Sequence, residues 1–267
     1  MRSLSSVLQL DPFDTRHLLV TSPFLRPSAL AAVRLVIACY TLATLAFSIF
    51  WGITVTRDAA GYFSYFTHLC YCGLCGYFFA AGLQTAVYAA RGERGYLLQG
   101  WAKLWRFLHL ALLSTVTTFP FLVSIVYWAL LANASTFDSR FNAWSAISVH
   151  LLNSVFALFE IGLTNTCAPS WLFLPLGLLL LLGYVGVVYI THAAQGFYPY
   201  PFMAPNGHPL KLALHLLGIA LAECVIFAAV YGLVVLRQRL TPIDMGHFPD
   251  ERGSSEAPNR PPIQNSC

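Results

Sequence analysis

The sequence predicts an all-α protein, a polytopic membrane helix bundle of six transmembrane helices with both termini cytoplasmic. Three observations carry this expectation. Of 267 residues, 57% are hydrophobic and only 10% are Asp, Glu, Lys or Arg, whereas a soluble domain holds about 25% charged residues. The mean hydropathy is +0.65. The 15 basic and 11 acidic residues gather outside long apolar runs. A soluble enzyme, a disordered chain and a disulfide scaffold are excluded on this basis.

A spanning helix needs about 20 mainly apolar residues. Six segments qualify: Leu30–Val55, Phe63–Ala89, Phe107–Leu131, Ala143–Leu163, Trp171–Ile190 and Leu212–Leu236. The fourth is the least apolar. The chain then divides into a cytoplasmic N-terminal segment (1–29), a six-helix transmembrane domain (30–236) and a disordered cytoplasmic tail (237–267) rich in Pro, Ser and Asn. No apolar core follows Met1 as in a secretory signal, and no Cys stands four residues from the end for prenylation.

Lys and Arg in the connections set the orientation. With the N-terminus in the cytoplasm, that side holds Arg2, Arg16, Arg26, Arg91, Arg94, Lys103, Arg106, Arg237 and Arg239. The other side holds only Arg57, Arg140 and Lys211. The Asn133-Ala134-Ser135 sequon falls on the lumenal side in this arrangement. Arg34, about one turn inside the first span, is expected to snorkel to the cytoplasmic surface. The basic residues never form a block, so nucleic acid is not an expected partner. Cys72-Gly-Leu-Cys75 has CxxC spacing but apolar surroundings and no second pair, so neither a metal nor another cofactor is expected.

Ionisable groups at membrane depth mark function more often than packing. Here they are His68, His109, His150, Glu160, His192, His215 and Glu223, with Ser64 and Thr67 nearby. His109 lies near the cytoplasmic start of the third span, within reach of water. Thr67 and His68 open the second span, His150 is two turns into the fourth, His192 ends the fifth, and His215 is one turn into the sixth. These groups therefore share the lumenal third of the bilayer. At about 100° per residue, Asn153, Ala157 and Glu160 fall within about 80° of His150 on one stripe. Such a stripe faces a bundle interior or cavity, or merely glues helices by hydrogen bonds. Glu223 lies near the midpoint of the sixth span, where an unpaired carboxylate would neutralise.

Four patches resemble the androgen-induced-gene / androgen-dependent TFPI-regulating protein family over about Phe66–Leu233. They are Tyr65-Phe66-Thr67; Phe119-Pro120 with Val126-Tyr127-Trp128; Val149-His150 with Glu160 ten residues on; and His192, Gly196, Tyr200-Pro201-Phe202 and Glu223. The resemblance implies a membrane hydrolase of fatty acid esters of hydroxy fatty acids. It implies Thr67 as nucleophile and His150 as its partner. His68-Leu69-Cys70-Tyr71 departs from the family pattern, so Ser64, one turn earlier, stays open as the nucleophile.

A hydroxyl needs an adjacent base, and the pair would transfer an acyl group. A third group orients such a base; Glu160 is too far along its helix, about 15 Å, leaving Asp138, Asn153 or His192. Oxyanion donors are sought among His68, His192 and backbone amides. His215 and Glu223 complete the supporting candidates. The substrate would be a lipid entering from the bilayer, in the endoplasmic reticulum or another endomembrane, with the plasma membrane an alternative address. Competing classes are a non-catalytic lipid-binding or scaffold protein, and a proton-coupled transporter using Glu223.

Overall fold

The computed structural model describes residues 8, 10–57, 59–205 and 208–241. Residues 242–267, which hold nearly all of the expected tail, lie outside them. Among the described residues there is no strand. Six helical spans are long and apolar enough to cross a membrane: Pro27–Thr56, Phe66–Ala90, Lys103–Leu131, Arg140–Leu163, Phe173–Gln195 and Pro209–Leu240. Each overlaps one expected span. We number the α-helices within them α1 (Pro27–Trp51), α2 (Phe66–Ala90), α3 (Lys103–Val126), α4 (Arg140–His150), α5 (Leu152–Leu163), α6 (Phe173–Gln195) and α7 (Pro209–Leu240). The first and third spans end in a single π-helical turn each, Gly52–Thr56 and Tyr127–Leu131.

Local chemistry accounts for several boundaries. Pro27 and Pro209 stand at the first positions of α1 and α7, where the missing N–H is no loss. Gly196, at φ +79°, closes α6 with its N–H on the His192 carbonyl. The helix outer faces stay apolar: Val36, Leu179, Ile190 and Val225 are exposed, which suits contact with hydrocarbon in place of water.

The N-terminal segment is not a free polar arm. Leu10, Phe13, Leu18, Leu19 and Val20 are buried against the bundle. Asp14 accepts the Leu18 and Leu19 N–H groups at 2.7 and 3.1 Å and the Tyr96 hydroxyl at 2.5 Å. Gln99 holds the Asp14 carbonyl at 2.9 Å. Farther out, Lys103 donates to Asp11 at 2.7 Å, and that bond holds the exposed carboxyl below its ordinary range. Burial pushes the Tyr96 phenol above its own range, so it remains the donor to Asp14.

Arg34 corrects an expectation. Its side chain is 0% exposed and does not reach the surface. The guanidinium pairs with Glu160 through both carboxylate oxygens, one contact being 3.2 Å, and also donates to the Leu19 carbonyl (2.9 Å) and to Thr85 (2.6 Å). Tyr77 donates to the same carboxylate at 2.7 Å. The polar stripe of the fourth span thus pays for its burial through a partner 126 residues away. A second arginine, Arg237 near the end of α7, donates to the carbonyls of Ile161 and Thr164, which the end of α5 leaves without helical partners, and to that of Thr166 just beyond. Arg34, Glu160 and Arg237 share the bundle end at which α1 begins and α7 ends.

Removing one member of a buried ion pair strands the other charge, at about 3–5 kcal/mol. Glu160→Gln should therefore lower the melting temperature of the purified protein in detergent sharply. The double replacement Arg34→Met with Glu160→Leu should be milder than either single change. Equal, additive losses would contradict the coupling.

Candidate functional site

The opposite end of the bundle contains an apolar chamber of about 250 Å³. Its walls come from the start of α2, the end of the third span, the middle of α6, the loop before α7 and the first half of α7. The lining is aliphatic except for Thr67, Tyr127, Tyr184 and Tyr200, with Phe66 and Phe202 between them.

Thr67 is the second residue of α2, in the first turn, where N–H groups have no intrahelical partner. Its N–H donates to the Tyr200 hydroxyl at 3.4 Å, and its own Oγ1 lies 3.3 Å from the same oxygen. Burial pushes the Tyr200 phenol above its ordinary range, so it stays protonated and can donate. Tyr184 donates to the Ser64 carbonyl at 2.8 Å, and Thr191 donates to the Ser64 hydroxyl at 3.0 Å. These bonds tie the turn before α2 to α6 and place Thr67 on the chamber wall.

His150 sits where the fourth span breaks. In a continuous helix its carbonyl would accept the Ser154 N–H. Here the Ser154 N–H goes to Asn153 Oδ1 (2.7 Å) and the Leu151 carbonyl (3.1 Å). The His150 carbonyl instead accepts from Ser124 (2.6 Å) and the Trp128 indole (3.1 Å). Leu151, at φ −124° and ψ −56°, separates α4 from α5. On the facing helix Pro120 supplies no N–H, and Ser154 donates to its carbonyl at 3.0 Å. The break is therefore held by short polar side chains that replace backbone bonds. It lays the His150 ring flat on Tyr127, with centroids 3.5 Å apart and 3° between planes. The buried Nδ1 of His150 has no hydrogen-bond partner.

Thr67 and His150 thus flank one chamber, Thr67 directly and His150 behind the Tyr127 ring. No hydrogen bond joins them. Ser64 is engaged by Thr191. His68 stacks on Tyr62 at 3.8 Å and contacts its carbonyl through Nδ1 at 2.6 Å. Asn153 is committed to the helix break, and Asp138 is exposed on its loop. His192 stacks on Tyr198 at 4.0 Å, with Nδ1 buried and unpartnered. His215 stacks on Phe202 at 5.7 Å, outside the chamber lining. Glu160 belongs to the other end, with Arg34. Glu223 is buried with Oε1 3.7 Å from the place a Gly177 Cβ would take, within reach of the Thr118 hydroxyl, and with Oε2 unpartnered.

Three tyrosines escaped the sequence reading as site residues: Tyr127, Tyr184 and Tyr200. Tyr127 and Tyr200 lay within the motif patches, but an aromatic ring at helical spacing signals packing, and only the fold shows which hydroxyls reach the chamber. Among the described residues no group of three His, Cys, Asp or Glu is placed to hold a metal ion, and Cys72 and Cys75 are free thiols.

Ser124→Ala removes the donor that replaces a backbone bond at the break. A buried acceptor left unsatisfied costs about 1–3 kcal/mol, so this variant should melt at a lower temperature. Tyr127→Phe, which keeps the stack, should melt like the parent.

No curated protein and no solved structure matches the chain. One family model, described as FAR-17a/AIG1-like protein, matches residues 33–236, which include every wall of the chamber and both partners of the buried ion pair. The chain belongs to the FAR-17a/AIG1-like family, that of androgen-induced gene 1.

Proposed function

We propose that the protein is a membrane lipid-ester hydrolase in which Thr67 is the nucleophile and His150 the base. The observation that carries this reading is a helix-terminal hydroxyl on the wall of an apolar chamber, with an unpartnered imidazole nitrogen behind the same wall. An acyl chain would fill the aliphatic part of the chamber and bring its ester carbonyl to Thr67. Thr67 Oγ attacks the carbonyl carbon while His150 takes the hydroxyl proton. The Tyr200 hydroxyl and the Thr67 N–H stand beside the oxygen that becomes negative and would donate to it. Collapse of the intermediate breaks the ester C–O bond, and the imidazolium returns its proton to the departing alkoxide. Water then attacks the acyl-threonine while His150 accepts its proton, the bond from the acyl carbon to Thr67 Oγ breaks, the imidazolium returns the proton to Oγ, and the carboxylic acid leaves.

Thr67 and His150 are not hydrogen-bonded without substrate; in unliganded enzymes such contacts are often long and tighten around the reacting group. The first turn of α2 also presents a partial positive charge to a developing oxyanion. The supporting residues keep a positional role in this reading: Asn153 holds the break that carries His150, and Ser64 anchors the turn that carries Thr67. We place the activity in the endoplasmic reticulum or a related endomembrane, on the Lys/Arg bias of the connections. A non-catalytic lipid-binding protein would use the same chamber, and the missing Thr67–His150 bond is the observation on its side.

A panel of lipid esters offered to the purified protein separates the two. Thr67→Ala and His150→Ala should each lower turnover by about 10³-fold or more, and Tyr200→Phe by about 10²-fold. A fluorophosphonate probe should label the parent and Ser64→Ala but not Thr67→Ala. Turnover or labelling that persists in Thr67→Ala would remove Thr67 from the role. Bound lipid without turnover would establish the non-catalytic reading.

A further inference from the structure

One turn of the third span holds His150. Ser124 and the Trp128 indole donate to its carbonyl, at 2.6 and 3.1 Å, and Tyr127 covers its ring, with centroids 3.5 Å apart and 3° between planes. Residues three and four apart share a helix face, so positions 124, 127 and 128 act on His150 together. Their grips differ in kind. Two hydrogen bonds fix the carbonyl, whereas a flat stack meets the ring, whose buried Nδ1 has no hydrogen-bond partner among the described residues. Tyr127 is itself held loosely. Its ring lies edge-on to Trp128 at 5.1 Å, and its hydroxyl makes no hydrogen bond among the described residues.

The same side chain belongs to the chamber wall. Tyr127 opens the π-helical turn Tyr127–Leu131, in which the Ala132 N–H reaches back five residues to the Tyr127 carbonyl at 2.8 Å. Such turns are wider than α-helical ones and recur at functional sites. Val126 and Leu131, at either side of this stretch, line the chamber as well. Tyr127 therefore stands between the contents of the chamber and the imidazole, and a chain packed into the chamber bears on it.

We propose that Tyr127 is a gate that keeps His150 from Thr67 until an aliphatic chain fills the chamber, so that the bulk of the ligand releases the base. The proposal rests on the hydrolase reading and adds its control. In the empty protein the imidazole is parked under the ring, and the Thr67 hydroxyl is beside Tyr200. A chain that fills the chamber presses Tyr127 aside and the stack is lost. The imidazole then turns toward the Thr67 hydroxyl, about a backbone that Ser124 and Trp128 keep in place. The stack is weak enough to yield, since the aromatic part of such a pair shifts an equilibrium by a factor of roughly ten at most. An ester with a short acyl group leaves part of the chamber empty and does not move the ring. Tyr127 thus sets the preference for chain length as a positioning residue that takes no proton.

The test uses the full-length protein in amphipol, with isotope-labelled histidine. The carbon-bound ring protons of His150, identified by their loss in His150→Ala, should resonate upfield in the parent because the Tyr127 ring faces them. Methyl hexadecyl ether, which has no ester to cut, should move them downfield to where Tyr127→Ala and Tyr127→Leu place them without ligand. It should move them no further in those variants, and methyl butyl ether should move nothing in the parent. Turnover is the second arm. Tyr127→Ala and Tyr127→Leu should raise kcat/KM for p-nitrophenyl acetate about tenfold and change that for p-nitrophenyl palmitate by no more than about twofold. Tyr127→Phe keeps the ring and should reproduce the parent with both esters. A parent resonance that stays upfield in the long ether overturns the gate, as does equal acceleration of the two esters. Lost turnover in Tyr127→Phe overturns it too, since the hydroxyl would then be the acting group. The resonance needs no chemistry, so a protein that shows the shift yet hydrolyses nothing keeps the movement of the ring and loses the hydrolase reading.

Discussion

The buried pair of Arg34 and Glu160 is the constraint on which the rest of the bundle depends. A guanidinium and a carboxylate with no exposure are tolerable only when each is the other's partner and further polar groups meet them. Glu160, Thr85, the Leu19 carbonyl and Tyr77 meet that demand. Those partners come from α1, α2, α5 and the N-terminal segment, so one charge requirement locates four pieces of chain at once. Arg237 repeats the device for α7 by holding the carbonyls at the end of α5. With α5 fixed at this end, the direction in which the fourth span runs toward the other is set.

What happens at the other end follows from where that span breaks. Were α4 and α5 one continuous helix, the His150 carbonyl would be bonded inside it and the ring would have no reason to lie on Tyr127. The side chains of Ser124, Asn153 and Ser154, with the Trp128 indole, take over the missing backbone bonds. This makes the break specific, since each group has one place to go. The chamber exists because α6 and α7 keep largely apolar, lipid-facing surfaces and meet the other helices mainly through tyrosines and aliphatic side chains. The few hydroxyls on the wall are what give the cavity chemical character.

Much of the architecture was legible. The six spans overlap their expected ranges because length and apolarity are properties of the chain itself. The motif patches pointed to the family, and Thr67 and His150 were placed in one layer from their depths in the second and fourth spans. What escaped is instructive. Arg34 was taken as a snorkelling side chain because no sequence signal ties it to a carboxylate 126 residues away. Glu160 fell on the stripe of His150 in a helix treated as unbroken, yet it serves the opposite end. Tyr200 looked like part of an aromatic loop, and its bond to Thr67 spans 133 residues.

The amino-acid sequence by itself determined that the chain is a membrane bundle and where its spans lie, because the transfer of about 20 apolar residues into hydrocarbon is a local sum. It also selected the polar groups that merit attention, since few are present at that depth. Only the tertiary structure decided which of them meet. Pairing of Arg34 with Glu160, the Ser124 and Trp128 bonds at the break after His150 and the Tyr200–Thr67 contact all join residues distant in the chain. Such contacts are fixed by the demand that buried charges and broken backbone bonds find partners, and that demand is settled only when the helices are packed.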